Sequence, residues 1–229
     1  MSSDDREKFL VRGSGCLCVA EPRRATRYIA TSDQPILRLG LRHDGRLVPI
    51  IMPRRTIFLD RDGVINKVVF RNGRPTAPRQ PAEFEIDEGV EESLRRLHAA
   101  GFKLFVVTNQ PDVARGLMSV ESLRVMTDKI MATLPVDAVR VCPHDDRDGC
   151  ACRKPKPGML VELAREHGLM LGESYLIGDS WKDTLAAGAA GCRSIILDRP
   201  YNHEDAADCR VADLQKAVEI ILGEAGNEV

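Results

Sequence analysis

At 229 residues, 43% hydrophobic and 29% charged, the chain is long enough for one α/β domain plus an appendage. It is too rich in both classes to be disordered or membrane-embedded. The net charge of −1 hides an asymmetry, because the first 55 residues carry 11 Lys/Arg against 6 Asp/Glu and the rest carry 22 against 28. The basic residues of that first segment are interleaved with acids, and aromatics make up only 4% of the chain. Both features favour a solvated surface over a nucleic-acid contact. No stretch has the ~18 apolar residues of a membrane span, and polar Met1–Lys8 lacks a signal-peptide pattern. A cytoplasmic location is therefore expected, with no membrane or nucleic-acid partner. Seven cysteines, an odd number, do not suggest a disulfide framework.

Residues 1–54 read as an N-terminal extension, separate from a domain spanning 55–229. Ile36–Arg42 and Arg46–Met52 flank His43-Asp44-Gly45, a hairpin signal, so the extension is expected to be short and β-rich. From Thr56 onward strands and helices alternate. Strands are expected at Thr56–Leu59, Lys103–Thr108, Ala138–Cys142, Ser174–Ile177 and Arg193–Leu197. The helices expected are Glu88–Ala100, Val120–Leu134, Pro157–His167, Trp181–Ala190 and Ala212–Leu222, with Gly101 and Gly168 as stop signals. This alternation predicts an α/β fold: a Rossmann-like parallel sheet with helices on both faces.

Ligand sites of open parallel sheets lie at the C-terminal ends of the strands, and the polar motifs gather there. Asp60-Arg61-Asp62-Gly63 closes the first strand. Asp60 could attack phosphorus as a nucleophile, and Asp62 could protonate the leaving oxygen and later activate water. Alone, the pair reads more readily as a surface turn. Thr108-Asn109-Gln110 ends the second strand, offering a hydroxyl and backbone N–H groups to phosphoryl oxygens. Arg153-Lys154 supplies a fork and a point charge. Asp179 and Asp183, four apart at a helix start, could join Asp60 in holding Mg²⁺. Cys142, His144, Cys150 and Cys152 offer four ligands suited to closed tetrahedral Zn²⁺. Such a site has no open coordination position, so the zinc would be structural and would anchor the loop carrying Arg153 and Lys154.

Taken in order, Asp60-x-Asp62-Gly-Val, Val-Thr108-Asn-Gln, Arg153-Lys154-Pro and Gly-Asp179-x-x-x-Asp183 resemble the four motifs of the haloacid dehalogenase superfamily, over residues 55–198. The string Cys142-Pro-His144…Cys150-Ala-Cys152-Arg-Lys-Pro-Lys-Pro-Gly-Met is similar to its zinc-containing subgroup of heptose-bisphosphate and histidinol-phosphate phosphatases. The resemblance implies a Mg²⁺-dependent phosphoric monoester hydrolase with no large cap domain, forming an aspartyl-phosphate on a small phosphorylated metabolite; a monomer is expected. It implies Mg²⁺ ligation by Asp60, the Asp62 carbonyl and Asp179, with Asp183 behind them. Thr108, Asn109, Gln110 and Lys154 would hold the phosphoryl group, and Arg153 the substrate. Lys156-Pro-Gly-Met159 and Val113-Ala-Arg-Gly116 favour D-glycero-D-manno-heptose 1,7-bisphosphate as substrate, losing its 7-phosphate. The five-residue gap between His144 and Cys150 favours histidinol phosphate or another small metabolite. Lys67–Arg71 and Pro111-Asp112 depart from the heptose pattern. A phosphate-binding scaffold without turnover is the alternative outside enzymes.

Overall fold

The computed structural model describes residues 17–20, 37–41, 46–51, 55–202 and 206–226. The strands are β1 (Leu17–Ala20), β2 (Leu37–Leu41), β3 (Leu47–Ile51), β4 (Thr56–Leu59), β5 (Val69–Arg71), β6 (Arg74–Thr76), β7 (Lys103–Asn109), β8 (Ala138–Cys142), β9 (Tyr175–Gly178), β10 (Arg193–Leu197) and β11 (Cys209–Val211). The helices are α1 (Val90–Ala99), α2 (Val120–Thr133), α3 (Gly158–His167), α4 (Trp181–Ala190) and α5 (Leu214–Gly226).

Seven strands form the main sheet in the order β1-β8-β7-β4-β9-β10-β11. Six of them are parallel, and β1 joins β8 antiparallel. Every residue of β4, β8 and β9 is buried, as expected of strands covered on both faces. Alternation along β4 feeds two cores. Ile57 and Leu59 pack with Leu94, Leu123 and Val218 of α1, α2 and α5. Phe58 faces Met159, Leu163 and Ala187 of α3 and α4. Helices therefore cover both faces, as the alternating pattern predicts.

Local signals set the boundaries. Ser119 caps α2 by accepting from the Ser122 N–H at 3.0 Å, and Gly168 ends α3 in the left-handed region with φ 64°. The first helix starts at Val90 rather than Glu88 because Gly89, at φ 77°, occupies the cap. The last helix runs to Gly226, beyond Leu222. The hairpin of the extension forms as β2–β3, although its turn at residues 42–45 lies outside the described residues. Four short strands escape sequence reading, β1 among them; the other three lie in the domain. These are β11, and the β5–β6 pair, whose turn places Asn72 and Gly73 at positive φ. This small hairpin is the insertion between β4 and α1, and no cap-sized unit stands there.

Candidate active site

Four adjacent parallel strands, β8, β7, β4 and β9, end at one edge, and each delivers polar groups to it. A cavity of about 470 Å³ opens there, lined by Asp60, Asp62, Asn109, Gln110, Lys154 and Asp179 among others. Arg153 also lines it.

Lys154 is the hub. Its ammonium is buried and lies 2.9 Å from Asp60 Oδ1 and 2.6 Å from Asp183 Oδ1, and it donates to the Val107 carbonyl at 2.8 Å. Asn109 holds the backbone of Lys154 from both sides, donating to its carbonyl at 2.9 Å and accepting from its N–H at 3.0 Å. Burial works against the lysine's charge. The Asp183 and Asp60 carboxylates outweigh it and hold the pKa above the ordinary lysine value. Asp60 moves the other way from most paired carboxylates. Burial raises its pKa to about 7, and Asp183 and Asp62 add to the rise while Lys154 opposes it. Asp179 is likewise raised by burial and by the nearby Asp60 and Asp183, against a 2.5 Å hydrogen bond donated by Tyr201. Oxygens of Asp60, Asp179 and Asp183 all lie within 4.8 Å of one another. Three carboxylates with one lysine between them lack positive charge, and a hard divalent cation on oxygen ligands fits this deficit. Asp183 is already engaged, through Lys154 on one oxygen and the Ser180 N–H and hydroxyl at 3.2 and 2.8 Å on the other. Asp60 and Asp179 are therefore the carboxylates placed to hold such a cation.

Close approach explains two glycines. Gly63 has φ 82°, and a Cβ there would stand 2.1 Å from Asp179 Oδ2. A Cβ on Gly178 would meet Asp183 Cβ at 2.3 Å.

Asp62 is held by side chains. Oδ1 accepts from Arg61 Nε at 3.1 Å, Arg61 Nη2 at 3.0 Å and Asn66 Nδ2 at 3.0 Å. Oδ2 accepts from Arg61 Nη2 at 3.1 Å and Gln110 Nε2 at 2.7 Å. The Thr108 hydroxyl is buried and accepts from the same Gln110 amide at 2.9 Å. Sequence reading missed Arg61, Asn66, Tyr201 and Asn202. The Asn202 amide donates to the Asp179 carbonyl at 2.7 Å. Arg61 and Asn66 lie within or beside the first motif, so their position was a signal. Tyr201 and Asn202 follow β10 in a loop with no motif to mark them.

Beside the cavity, Cys142, His144, Cys150 and Cys152 converge with all four ligand atoms within 4.8 Å of one another. Adjacent separations are 3.6 Å (Cys142 Sγ to His144 Nδ1), 3.7 Å (Cys142 to Cys150), 3.5 Å (Cys152 to Cys150) and 3.3 Å (Cys152 to His144). A tetrahedron with Zn–S bonds of about 2.3 Å has edges of about 3.8 Å, so the cluster is sized for zinc. Hydrogen bonding to Cys152 and burial push the Cys142 thiol up, a shift that a cation among the four groups would oppose. Lys156 ties down the loop through the Gly149 and Cys150 carbonyls at 2.9 and 2.7 Å. Arg153 links the cluster to the cavity, donating to Asp146 at 2.7 Å and to the His144 carbonyl at 3.4 Å.

An edge of carboxylates around a buried lysine, on a largely parallel sheet with no large cap among the described residues, suits phosphoryl transfer, and the chain belongs to the haloacid dehalogenase superfamily of phosphatases. A family model described as HAD-hydrolase-like matches residues 151–213. The chain is 38% identical over 143 residues to the D-glycero-beta-D-manno-heptose-1,7-bisphosphate 7-phosphatase of Bordetella bronchiseptica, covering 60% of this chain and 77% of that one. It is 32% identical over 154 residues to the enzyme of the same name from Helicobacter pylori, covering 65% and 85%. A crystal structure of the B. bronchiseptica D,D-heptose 1,7-bisphosphate phosphatase with magnesium and phosphate superimposes with a TM-score of 0.63 at 32% identity, covering 74% of this chain and 99% of that one.

Proposed function

We propose that residues 55–229 form a Mg²⁺-dependent phosphatase domain removing the 7-phosphate of D-glycero-D-manno-heptose 1,7-bisphosphate, with residues 1–54 as an extension to it. The observation that carries the chemistry is the buried Lys154 bridging Asp60 and Asp183 beside Asp179. In this reading Asp60 attacks phosphorus, the bond to the leaving oxygen breaks, and Asp62 supplies the proton that oxygen needs. Water then attacks the aspartyl-phosphate, gives its proton to Asp62 and frees Asp60 and phosphate. Bound at Asp60, Asp179 and the Asp62 carbonyl, Mg²⁺ would neutralise charge and orient the phosphoryl oxygens. Lys154, Thr108 and Asn109 complete the phosphoryl pocket, with Asn109 holding Lys154 in place.

The substrate rests on the names of the relatives and on the cavity's charge. Arg79, Arg115, Arg153 and Lys182 line it beyond Lys154. Each arginine is braced by a carboxylate: Arg79 by Asp112 at 2.7 Å, Arg115 by Asp145 at 2.8 Å and Arg153 by Asp146 at 2.7 Å. Arg115 also meets Asp112 at 3.5 Å and Arg153 the His144 carbonyl at 3.4 Å, but a guanidinium has five donors, so each keeps N–H groups for a second phosphate. Histidinol phosphate is the second reading, favoured by the short zinc loop. We assign zinc to Cys142, His144, Cys150 and Cys152 as a structural ion, and free thiols in such a cluster suit a reducing, cytoplasmic compartment.

Phosphate release with Mg²⁺ is measured on the heptose bisphosphate, histidinol phosphate and a panel of small phosphomonoesters, with Asp60→Asn as control. Release from the heptose bisphosphate well above the rest, abolished in the control, is the expected result. Preference for histidinol phosphate moves the assignment to the second reading, and release from none of them removes the catalytic one.

A further inference from the structure

Three of the six buried side-chain polar atoms without a hydrogen-bond partner among the described residues belong to side chains that grip Asp62. They are Arg61 Nη1, Asn66 Oδ1 and Gln110 Oε1. Arg61, Asn66 and Gln110 are themselves fully buried. Orphaned buried groups are rare and costly in folded proteins, so three around one carboxylate call for an explanation. In each residue another polar atom of the same side chain is aimed at Asp62, at 2.7 to 3.1 Å. The same side chains also serve the Lys67 carbonyl and the Thr108 hydroxyl at 2.9 Å each, yet stability alone does not demand an arrangement that strands three buried polar atoms. A precise function would demand it.

We infer that Arg61, Asn66 and Gln110 are positioning residues that fix the Asp62 carboxylate for the water-attack step. The inference rests on the reading of Asp62 as the general base. All these contacts run from N–H donors to the two carboxylate oxygens, so the clamp fixes where both oxygens of Asp62 point. In the step concerned the water oxygen bonds to phosphorus, the P–O bond to Asp60 breaks with its electron pair returning to the Asp60 carboxylate, and the water proton passes to Asp62. The clamp spans two strand ends, since Arg61 and Asn66 follow β4 while Gln110 follows β7. It therefore sets Asp62 relative to both the nucleophile and the phosphoryl pocket. Gln110 faces inward to Asp62 and Thr108, which makes it a holder of the base rather than a direct contact to substrate.

The test uses the full-length enzyme with Mg²⁺ and an aryl phosphate, whose good leaving group needs little protonation. Gln110→Met and Asn66→Leu are compared with wild type and with Asp62→Asn. With the base misplaced, kcat should fall about 10- to 100-fold, the scale of a positional defect in a proton-transfer group. Aryl alcohol should appear in a burst of one equivalent per enzyme, and the aspartyl-phosphate should accumulate in acid-quenched protein. The burst and the trapped intermediate are outcomes that a merely structural role, which would lower both steps through loss of folded enzyme, would not produce. Unchanged kcat, or a loss of rate without a burst, overturns the inference. If Asp62→Asn itself shows no burst, the reading of Asp62 as base fails as well, whereas a burst in Asp62→Asn alone removes only the clamp. Should Asn66→Leu fail to fold, Gln110→Met decides, because unbranched Met fills the glutamine's space.

Discussion

Replacing Lys154 with Met keeps the length of the side chain and removes the single charge that Asp60 and Asp183 share. At an effective dielectric of about 20, each contact below 3 Å is worth about 6 kcal/mol of gross attraction, most of it offset by the lysine's own desolvation. Breaking a buried pair by deleting one partner costs about 3–5 kcal/mol, because the stranded carboxylates remain. For a domain of this size that is a drop in Tm of roughly 6–20 °C. The cost should depend on pH in a definite direction. The folded-state pKa of Asp60 is raised from 3.8 to about 7, so its favourable contribution is complete below the unfolded value and is lost as pH rises through the folded one. Lys154 opposes that rise, and without it the loss extends to higher pH. Thermal melts of wild type and Lys154→Met in magnesium-free buffer should thus diverge more near pH 8 than near pH 5.5. Turnover should fall at least 10²–10³-fold, the effect of removing one electrostatic stabiliser. An equal Tm loss at both pH values, or none near pH 8, would refute the account of Lys154 as the counter-charge.

Magnesium should raise the wild-type Tm more near pH 8 than near pH 6, where protons compete for Asp60; a shift independent of pH would place the cation elsewhere. Asp60→Asn should abolish phosphate release, yet melt at or above wild type near pH 8 without magnesium, as one of the crowded carboxylates is gone. Cys150→Ser should lower zinc content from about one ion per chain and reduce Tm, as measured by elemental analysis and calorimetry. Gly158→Ala should do the same indirectly, since its Cβ would stand 2.3 Å from the Ala151 carbonyl oxygen inside the ligand loop. Such overlap costs about 1–3 kcal/mol, and a variant with full zinc and unchanged Tm would contradict the close packing of helix on loop.

Much of this was legible from residues. The five main strands and five helices follow from apolar runs and their stop signals, and the carboxylates fall at strand ends because parallel strands present that edge. The Cys142, His144, Cys150 and Cys152 cluster declares itself by residue type and proximity in sequence. What stayed hidden depends on contacts between distant segments. Tyr201 reaches Asp179 across 22 residues, and Arg79 pairs with Asp112 across 33. No local pattern encodes either meeting. Strand β11 is three residues long, too short for a periodic signal, and is held by pairing with β10. Gln110 was visible as a polar residue at a strand end, but its inward aim at Asp62 depends on the neighbouring strand.

Strand β1 has a consequence for the geometry of the whole edge. By closing against β8 it turns the strand that ends in Cys142 from a border of the sheet into an interior member, hydrogen-bonded on both sides. Across that sheet β8, β7, β4 and β9 lie side by side, about 4.8 Å apart, and lead in turn to Cys142, to Thr108 and Asn109, to Asp60 and to Asp179. The lattice of backbone hydrogen bonds thereby acts as a ruler for the chemistry. Side chains in the core can be exchanged without altering its graduations, whereas a slip of one strand's register would displace every polar group at that strand's end.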